Sequence, residues 1–258
     1  MSRWRTAAGW TAAALIVVAC GKGGGESGGA PAGGATAAAT AFPVDTTTAA
    51  TITGRVAFTG AHPPATRIDM SGEPTCAAKH PSGAFTETVV VNDNGTLRNV
   101  FVYVKDGLPA NLTFPVPAAV NLDQNGCQYS PHVFGVQVGQ TINIRNDDGL
   151  LHNSKARPTA NRPFNVSQPT DMSTPRSFTT AEVMVQLECN VHSWMNAFVA
   201  VRPDPYFAVS GNDGAFSIGR LPPGTYTIEA WSEHYGTQTQ QVMVGQHESK
   251  AITFTFHG

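Results

Sequence analysis

The architecture of this chain is decided by the stretch Glu188-Cys189-Asn190-Val191-His192-Ser193-Trp194-Met195. It follows a run from Glu182 to Leu187 in which apolar and polar residues alternate, a pattern that predicts a half-buried β-strand. A thiol, an imidazole and a thioether then lie within seven residues. A second imidazole ends the earlier run Asn146-Asp147-Asp148-Gly149-Leu150-Leu151-His152. A loop between two strands, together with an adjacent strand end, can bring these four side chains to one point.

Copper is the metal that selects this donor set. Thiolate and thioether sulfur stabilise Cu(I), whereas imidazole suits both oxidation states of the ion. Two His and one Cys in a plane, with a weak axial Met, form the type 1 (blue) copper sites that transfer single electrons. A binuclear centre would need a second Cys four residues before Cys189, where this chain has Val185. Taken singly, each residue has a structural explanation, since a lone Cys is usually a small buried hydrophobe. The coincidence of four donors favours one mononuclear copper site.

The spacing Cys189-x-x-His192-x-x-Met195 resembles the ligand loop of the amicyanin type within the cupredoxin family. The resemblance implies that His152, Cys189 and His192 are the strong copper ligands and that Met195 is the axial one. It also implies that Asn153, directly after the first ligand, ties the two ligand loops together. The exposed edge of His192 would then be the exit for the electron.

Composition limits the other function classes. Among 258 residues, 41% are hydrophobic and 13% are charged, with 26 Gly and 18 Pro, a mixture typical of a β-rich protein with many turns. The net charge of −2 gives no basic field for nucleic acid. The sequence contains no Gly-rich phosphate loop and no nucleophile elbow.

Residues 1–20 are predicted to be a signal peptide. The apolar run Ala7 to Ala19 follows two Arg residues and is too short to span a bilayer as a mature helix. Its end, Val17-Val18-Ala19-Cys20-Gly21, resembles the bacterial lipoprotein signal, in which the Cys is acylated and becomes the new N-terminus. The resemblance implies a lipid anchor on Cys20 and, with Gly21 after it, an outer-membrane location on the periplasmic side. The alternative is an ordinary secretory signal with an incidental Cys.

The rest of the chain divides into four segments. Residues 21–50 are mostly Gly, Ala, Ser and Thr and are predicted to be a flexible tether, because they cannot bury enough apolar surface to offset their ordering. We expect a β segment at residues 51–117, a cupredoxin-like copper domain at residues 118–203, and a further β-sandwich at residues 204–258.

The C-terminal segment resembles the carboxypeptidase regulatory-like (transthyretin-like) β-sandwich. The run Leu221-Pro222-Pro223-Gly224-Thr225-Tyr226 carries this resemblance. The first strand of such domains often reads Ile-x-Gly-x-Val, which the stretch Ile52-Thr53-Gly54-Arg55-Val56 provides. We therefore hypothesise that residues 51 to about 105 and residues 204–258 form one discontinuous sandwich with the copper domain inserted. The alternative is an N-terminally extended cupredoxin followed by a small tail domain.

Further strands are predicted by the same alternation, and no long segment has helical periodicity. Asp93-Asn94-Gly95 is a strong hairpin-turn signal. The expected fold class is all-β, a cupredoxin-like Greek-key sandwich joined to a second, transthyretin-like β-sandwich. The predicted strands are Glu87–Asn92, Leu97–Val104, Asn121–Tyr129, His132–Val138, Gln140–Asn146, Glu182–Leu187 and Ala197–Val201.

The remaining cysteines are Cys76 and Cys127, once Cys20 is assigned to lipid and Cys189 to metal. In an oxidising compartment these two are free to pair as a disulfide. The rival hypothesis is a second metal site in which they are joined by His80 and His132. The spacings fit no standard zinc pattern, so the disulfide is the simpler interpretation.

We expect an electron carrier whose partners are redox proteins of the dehydrogenase, cytochrome or oxidase type. Alternative functions are copper binding and delivery, or attachment to carbohydrate or protein through the transthyretin-like sandwich. Trp231 and Tyr235 would be the sugar-stacking pair in the carbohydrate case, although aromatic core residues are the commoner explanation. A copper enzyme would need an open coordination position, for instance if Met195 did not bind.

Overall fold

The chain is almost entirely β-structure, as the sequence predicts. The computed structural model describes residues 43–258, which contain eighteen strands and one five-residue helix. No helix in this range is long and apolar enough to cross a membrane. The elements, in chain order, are β1 (Ala50–Thr59), α1 (Pro74–Ala78), β2 (Val90–Val91), β3 (Leu97–Arg98), β4 (Phe101–Asp106), β5 (Val120–Asn125), β6 (Gln128–Ser130), β7 (Val133–Gln137), β8 (Ile142–Asn146), β9 (His152–Arg157), β10 (Phe164–Gln168), β11 (Met172–Arg176), β12 (Glu182–Glu188), β13 (Asn196–Arg202), β14 (Phe207–Val209), β15 (Ala215–Leu221), β16 (Gly224–Ser232), β17 (Gly236–Val244) and β18 (Ser249–His257).

Strands from both ends of the described range build one β-sandwich, which we call the outer sandwich. Its two sheets have the strand orders β15-β1-β18 and β14-β4-β16-β17. β1 is antiparallel to β15 and parallel to β18. Alternation along β1 places Ile52, Val56 and Phe58 in the core. Gly54 leaves room for the ring of Phe216, because a Cβ built on it would lie 2.5 Å from that ring.

Between β4 and β14 the chain forms a second sandwich, which we call the inserted sandwich. Its sheets have the strand orders β10-β9-β12-β13-β7 and β11-β8-β5-β6. β12 is central in its sheet, and its side chains alternate so that Val185 and Leu187 point into the core with Leu122 and Val199. The residue that follows β12 therefore begins a loop directly above this core.

Residues 67–85 form a largely irregular segment that packs on the inserted sandwich, and we call it the capping segment. Its two ends meet, since the amide of Ile68 donates to the carbonyl of Ala84 at 2.9 Å, and both side chains join the core of the inserted sandwich. Within the segment, α1 carries Cys76, which is disulfide-bonded to Cys127 in the turn between β5 and β6. The predicted disulfide is therefore present, and it fixes the capping segment to the inserted sandwich.

The two sandwiches touch through β4, β7, β13 and β14. The rings of Phe101 and Phe207 are 5.5 Å apart between their centroids. The guanidinium of Arg202 lies 4.5 Å above the ring of Tyr103 and donates to the carbonyl of Val104 at 2.8 Å. The sheet of the outer sandwich that contains β4 and β14 thus packs against β7 and β13 of the inserted sandwich.

The boundary predicted for the tether is wrong at its C-terminal end. Val44 and Ala50 are buried in the core of the outer sandwich, so the folded part begins within residues 21–50. The signal peptide, Cys20 and the first part of the tether lie outside the described residues.

Two of the predicted strands are interrupted by turns. Asn121–Tyr129 is divided at Gly126 and Cys127, whose φ angles are 65° and 55°. Leu97–Val104 is divided at Asn99, with φ 64°. Positive φ ends a strand locally, and Asn and Gly are the residues that adopt it most easily. The hairpin predicted at Asp93-Asn94-Gly95 is present between β2 and β3.

Candidate metal centre

Cys189, His192 and Met195 lie on the loop that joins β12 to β13. Cys189 continues the inward alternation of Val185 and Leu187 and is buried. Two backbone hydrogen bonds close the loop, from the amide of Cys189 to the carbonyl of Met195 (3.1 Å) and from the amide of Met195 to the carbonyl of His192 (3.0 Å). All three side chains are buried as a result of this tight turn.

His152 opens β9, which pairs with β12 beside the loop. The register places Lys155 opposite Glu188, so the start of β9 lies next to Cys189. The amide of Asn153 donates to Cys189 Sγ at 3.4 Å, and Asn153 Oδ1 accepts from the amide of Asn190 at 2.5 Å. Asn153 thus links the start of β9, which carries His152, to the loop that carries Cys189 and His192.

The ligand atoms of His152, Cys189 and His192 lie within 4.8 Å of one another. His152 Nδ1 is 2.9 Å from His192 Nδ1, and Cys189 Sγ is 3.9 Å from the same nitrogen. Two donors bound to one ion with bond lengths of about 2.1 Å and an angle near 120° are about 3.6 Å apart. The Cys189–His192 separation is close to this spacing, whereas the two imidazole nitrogens are at hydrogen-bond distance and would move apart by less than about 1 Å to share an ion. Sulfur with two imidazoles is a donor set that copper accepts.

Asp148 is the residue of this site that the sequence interpretation missed. Its buried carboxylate accepts from His152 Nε2 (2.8 Å), from Lys79 Nζ (2.6 Å) and from the amides of Gly126 (2.6 Å) and Cys127 (2.8 Å). When His152 is neutral and donates through Nε2, its Nδ1 carries a lone pair that faces Cys189 and His192; when His152 is protonated, the same nitrogen donates to Cys189. The sequence contained one signal for this contact, because Asp148 lies four residues before the candidate ligand His152.

Hydrogen bonds and burial shift the pKa values of these groups. Burial raises the pKa of Cys189, but hydrogen bonds from His152 and from the amides of His192 and Asn153 outweigh it and lower that pKa overall. Burial, and then the charge of His152, lower the pKa of His192. Thiolate and neutral imidazole are the forms that bind metal, so both shifts favour binding.

The pKa values of His152 and Asp148 move in opposite directions. Burial lowers the pKa of His152, but the hydrogen bond to Asp148 and the nearby Cys189 outweigh it, and the pKa rises. Burial raises the pKa of Asp148, but the hydrogen bonds from His152 and Lys79 outweigh it, and the pKa falls below its ordinary range. Asp148 is therefore ionised at neutral pH.

His192 is covered, and the expectation of an exposed edge is wrong. Its residue is 1% exposed. Cys76 Sγ lies 3.8 Å from His192 Nε2, and the ring of Trp194 packs on the His192 ring with centroids 5.2 Å apart. The indole nitrogen of Trp194 also donates to the carbonyl of Cys127 at 2.9 Å. The disulfide and Trp194 thus occupy the side of the ring that was expected to face solvent.

The rival metal site of two Cys and two His is not assembled. Cys76 and Cys127 are bonded to each other, while His80 Nε2 contacts the carbonyl of Gly126 at 2.6 Å. His132 Nε2 contacts Glu233 at 2.6 Å. The two His side chains therefore have other partners.

Trp231 and Tyr235 do not form a stacking pair. The ring of Trp231 packs on Phe198, with centroids 5.3 Å apart. The ring of Tyr235 packs on Phe58 and Phe256 at 5.5 and 6.2 Å. Both aromatic residues belong to apolar clusters of the fold.

Residues 194–257 match the carboxypeptidase regulatory-like domain family. The match extends from β13 to β18, so it covers the C-terminal strands of the outer sandwich together with the last strand of the inserted one. No curated protein matches the chain.

Several solved structures show weak similarity to this chain. The Cu-containing nitrite reductase (NirK) from Thermus scotoductus SA-01 is 17% identical, with a TM-score of 0.32, over 38% of this chain and 26% of that one. The purple cupredoxin from Nitrosopumilus maritimus is 22% identical, with a TM-score of 0.28, over 33% of this chain and 99% of that one. Amicyanin from Paracoccus versutus is 18% identical, with a TM-score of 0.30, over 39% of this chain and 97% of that one. The chain thus spans about a quarter of the length of the nitrite reductase.

Proposed function

We propose that this chain is an exported type 1 copper protein that carries single electrons between redox partners. The observation that carries the proposal is the buried convergence of His152, Cys189 and His192, whose ligand atoms lie within 4.8 Å of one another. Met195, buried on the same loop, would hold the axial position. Copper bound there would supply a one-electron couple between Cu(I) and Cu(II).

The residues around the donors hold them in place before any metal binds. The amides of Asn153 and His192 donate to Cys189 Sγ at 3.4 and 3.5 Å. These hydrogen bonds withdraw charge from the sulfur and so tune the reduction potential. Asp148 fixes the orientation of His152 in the same way that carboxylates orient ligand imidazoles in other metal sites. Little rearrangement is then needed between the two oxidation states.

The ligand loops also carry apolar side chains to the surface. Leu151 and Val191, which directly precede His152 and His192, are 45% and 42% exposed. We infer that a redox protein of the dehydrogenase, cytochrome or oxidase type docks there, because burial of these exposed apolar side chains would favour binding next to the copper site.

We also propose that Cys20 carries a lipid anchor that holds the protein at the outer membrane, on the periplasmic side. Residues 17–21 support the anchor, and the disulfide supports an oxidising compartment. Labelled fatty acid should be incorporated into the protein in cells and lost in Cys20→Ser, and incorporation that persists in the variant would contradict the anchor.

The copper proposal is tested by adding Cu(II) to the purified apoprotein. An intense visible band from thiolate-to-copper charge transfer should appear at one equivalent and vanish in Cys189→Ser. Ser193→Ala is the matched control, because Ser193 is exposed on the same loop and its loss should leave the band unchanged. A wild-type protein that binds copper without this band would contradict a type 1 site.

A further inference from the structure

The disulfide next to the metal centre places two further sulfur atoms against His192. Cys76 Sγ is 3.8 Å from His192 Nε2, and the ligand atoms of Cys76, Cys127 and His192 all lie within 4.8 Å of one another. The two Cys residues are 0% exposed and His192 is 1% exposed. The ring of His192 thus has a nitrogen on each side, with Nδ1 toward His152 and Cys189 and Nε2 toward the disulfide.

We propose that reduction of the Cys76–Cys127 disulfide creates a second Cu(I) site, formed by the two thiolates and His192 Nε2. Reduction by a dithiol transfers two electrons and two protons to the disulfide, breaks the S–S bond and leaves the reductant as its own disulfide. Binding of Cu(I) by the two thiols then releases their two protons. Thiolate sulfur with one imidazole is a donor set that selects Cu(I).

The two cysteines are held in position by contacts other than the S–S bond. On the side of Cys76, Lys79 forms an ion pair with Asp148 at 2.6 Å. On the side of Cys127, its amide donates to the same carboxylate at 2.8 Å, and its carbonyl accepts from Trp194 at 2.9 Å. Opening the disulfide therefore leaves both thiols facing His192.

The capping segment borders a cleft beside the residue that follows Cys76. A cleft of about 590 Å³ opens beside α1 and is lined by residues that include Met70, Ala77 and His80. Ala77 is the residue that follows Cys76 in α1. The disulfide itself is buried, so a small reductant would reach it from the Ala77 side of this cleft.

The shared imidazole links the second site to the first. A neutral imidazole offers one lone pair, on either Nδ1 or Nε2, so His192 serves one site at a time. A Cu(I) ion held by Cys76 and Cys127 therefore competes with an ion held by His152 and Cys189.

The test uses the full chain with Cys189→Ser, which removes the thiolate of the first site and makes the outcome independent of the proposed type 1 centre. A phosphine reductant opens the disulfide and is removed anaerobically, and Cu(I) affinity is measured by competition with a coloured Cu(I) chelator. We expect the dithiol form to bind one Cu(I) at least ~100-fold more tightly than the disulfide form. Equal affinities in the two forms would overturn the proposal.

Two further variants separate the contributions of the donors. Replacement of both Cys76 and Cys127 by Ser in this background should abolish the tight binding, and retained affinity would overturn the thiol assignment. His192→Gln should weaken the dithiol form at least ~10-fold, and no change would overturn the part of His192. The far-UV circular dichroism of the reduced protein should match that of the disulfide form. Loss of that signal would itself contradict the proposal, because the thiols would then not be held in place.

Discussion

Asp148→Asn tests what stabilises the candidate metal centre of the inserted sandwich. The side chain of Asp148 is fully buried and accepts four hydrogen bonds, from Lys79, His152 and the amides of Gly126 and Cys127. Asn has nearly the same shape but replaces one acceptor oxygen by an NH₂ group. Whichever way the amide turns, two of the four donors then face another donor.

The expected loss follows from those two contacts. A hydrogen bond to a charged group contributes about 1.5–3 kcal/mol, and two are lost, so the free energy of unfolding should fall by about 3–6 kcal/mol. Loss of a carboxylate that orients a ligand His should also weaken metal binding by about 10–100-fold. Both effects have the same cause, because the carboxylate joins His152 to the backbone of the turn at Cys127.

Urea unfolding of the metal-free protein, followed by circular dichroism, measures the first effect. Asp147→Asn is the matched control, because Asp147 is partly exposed and pairs only with the partly exposed Arg145 at 3.0 Å. We expect the control to change the free energy of unfolding by no more than about 0.5 kcal/mol. A loss below about 1 kcal/mol in Asp148→Asn would refute the reasoning, since four buried donors would then have found other partners.

Three other predictions concern the fold. Hydrogen bonds from Thr159, Asn161 and the amide of Ala160 outweigh burial and lower the pKa of Glu182 from 4.5 to about 2. The free energy of unfolding that the ionised Glu182 contributes is therefore present above pH 4.5 and is lost as the pH falls toward 2. Urea unfolding midpoints measured across that range should depend less on pH in Glu182→Gln than in the wild type. Gly54→Ala should lower the free energy of unfolding by about 1–3 kcal/mol, because the new Cβ would meet Phe216 and a backbone carbonyl. A Cβ added at Gly72 meets nothing within 4 Å, so Gly72→Ala is the control and should not lower the free energy of unfolding. Equal effects of the two substitutions would show that the close packing at Gly54 is unimportant. Residues 204–258 expressed alone should not melt cooperatively, because one sheet of the outer sandwich would lack β1 and the other would lack β4. A cooperative thermal transition of this fragment would contradict that prediction.

The sequence predicts the strands that lead into the site because apolar and polar side chains alternate along β8 and β12. Both strands lie where the alternation places them, and the inward positions of β12 continue to Cys189. The break between β5 and β6 was missed although Asn125-Gly126 is itself a hairpin signal. The break at Asn99 has no such dipeptide, and only the packing of the chain determines it.

The convergence of Cys189 and His192 with His152 was predictable from motifs in the sequence, whereas the surroundings of these side chains were not. Asp148 and His152 are four residues apart, and a polar residue in a loop gives no indication that it will be fully buried. His192 is covered by Trp194 and by Cys76, and Cys76 is 116 positions earlier in the chain. A contact between residues so far apart in the chain cannot be predicted from a local sequence pattern.

The first and last strands of the folded region are neighbours, with Thr51 opposite Ser249 and Thr59 opposite His257. As the chain emerges in order from its N-terminal end, β1 is present long before β18, whereas β5 to β13 can associate as soon as they have emerged. Pairing across so long a loop is slow, since the closure entropy must be overcome before any contact is gained. We therefore expect assembly to begin with the inserted sandwich, with β1 and β18 pairing last.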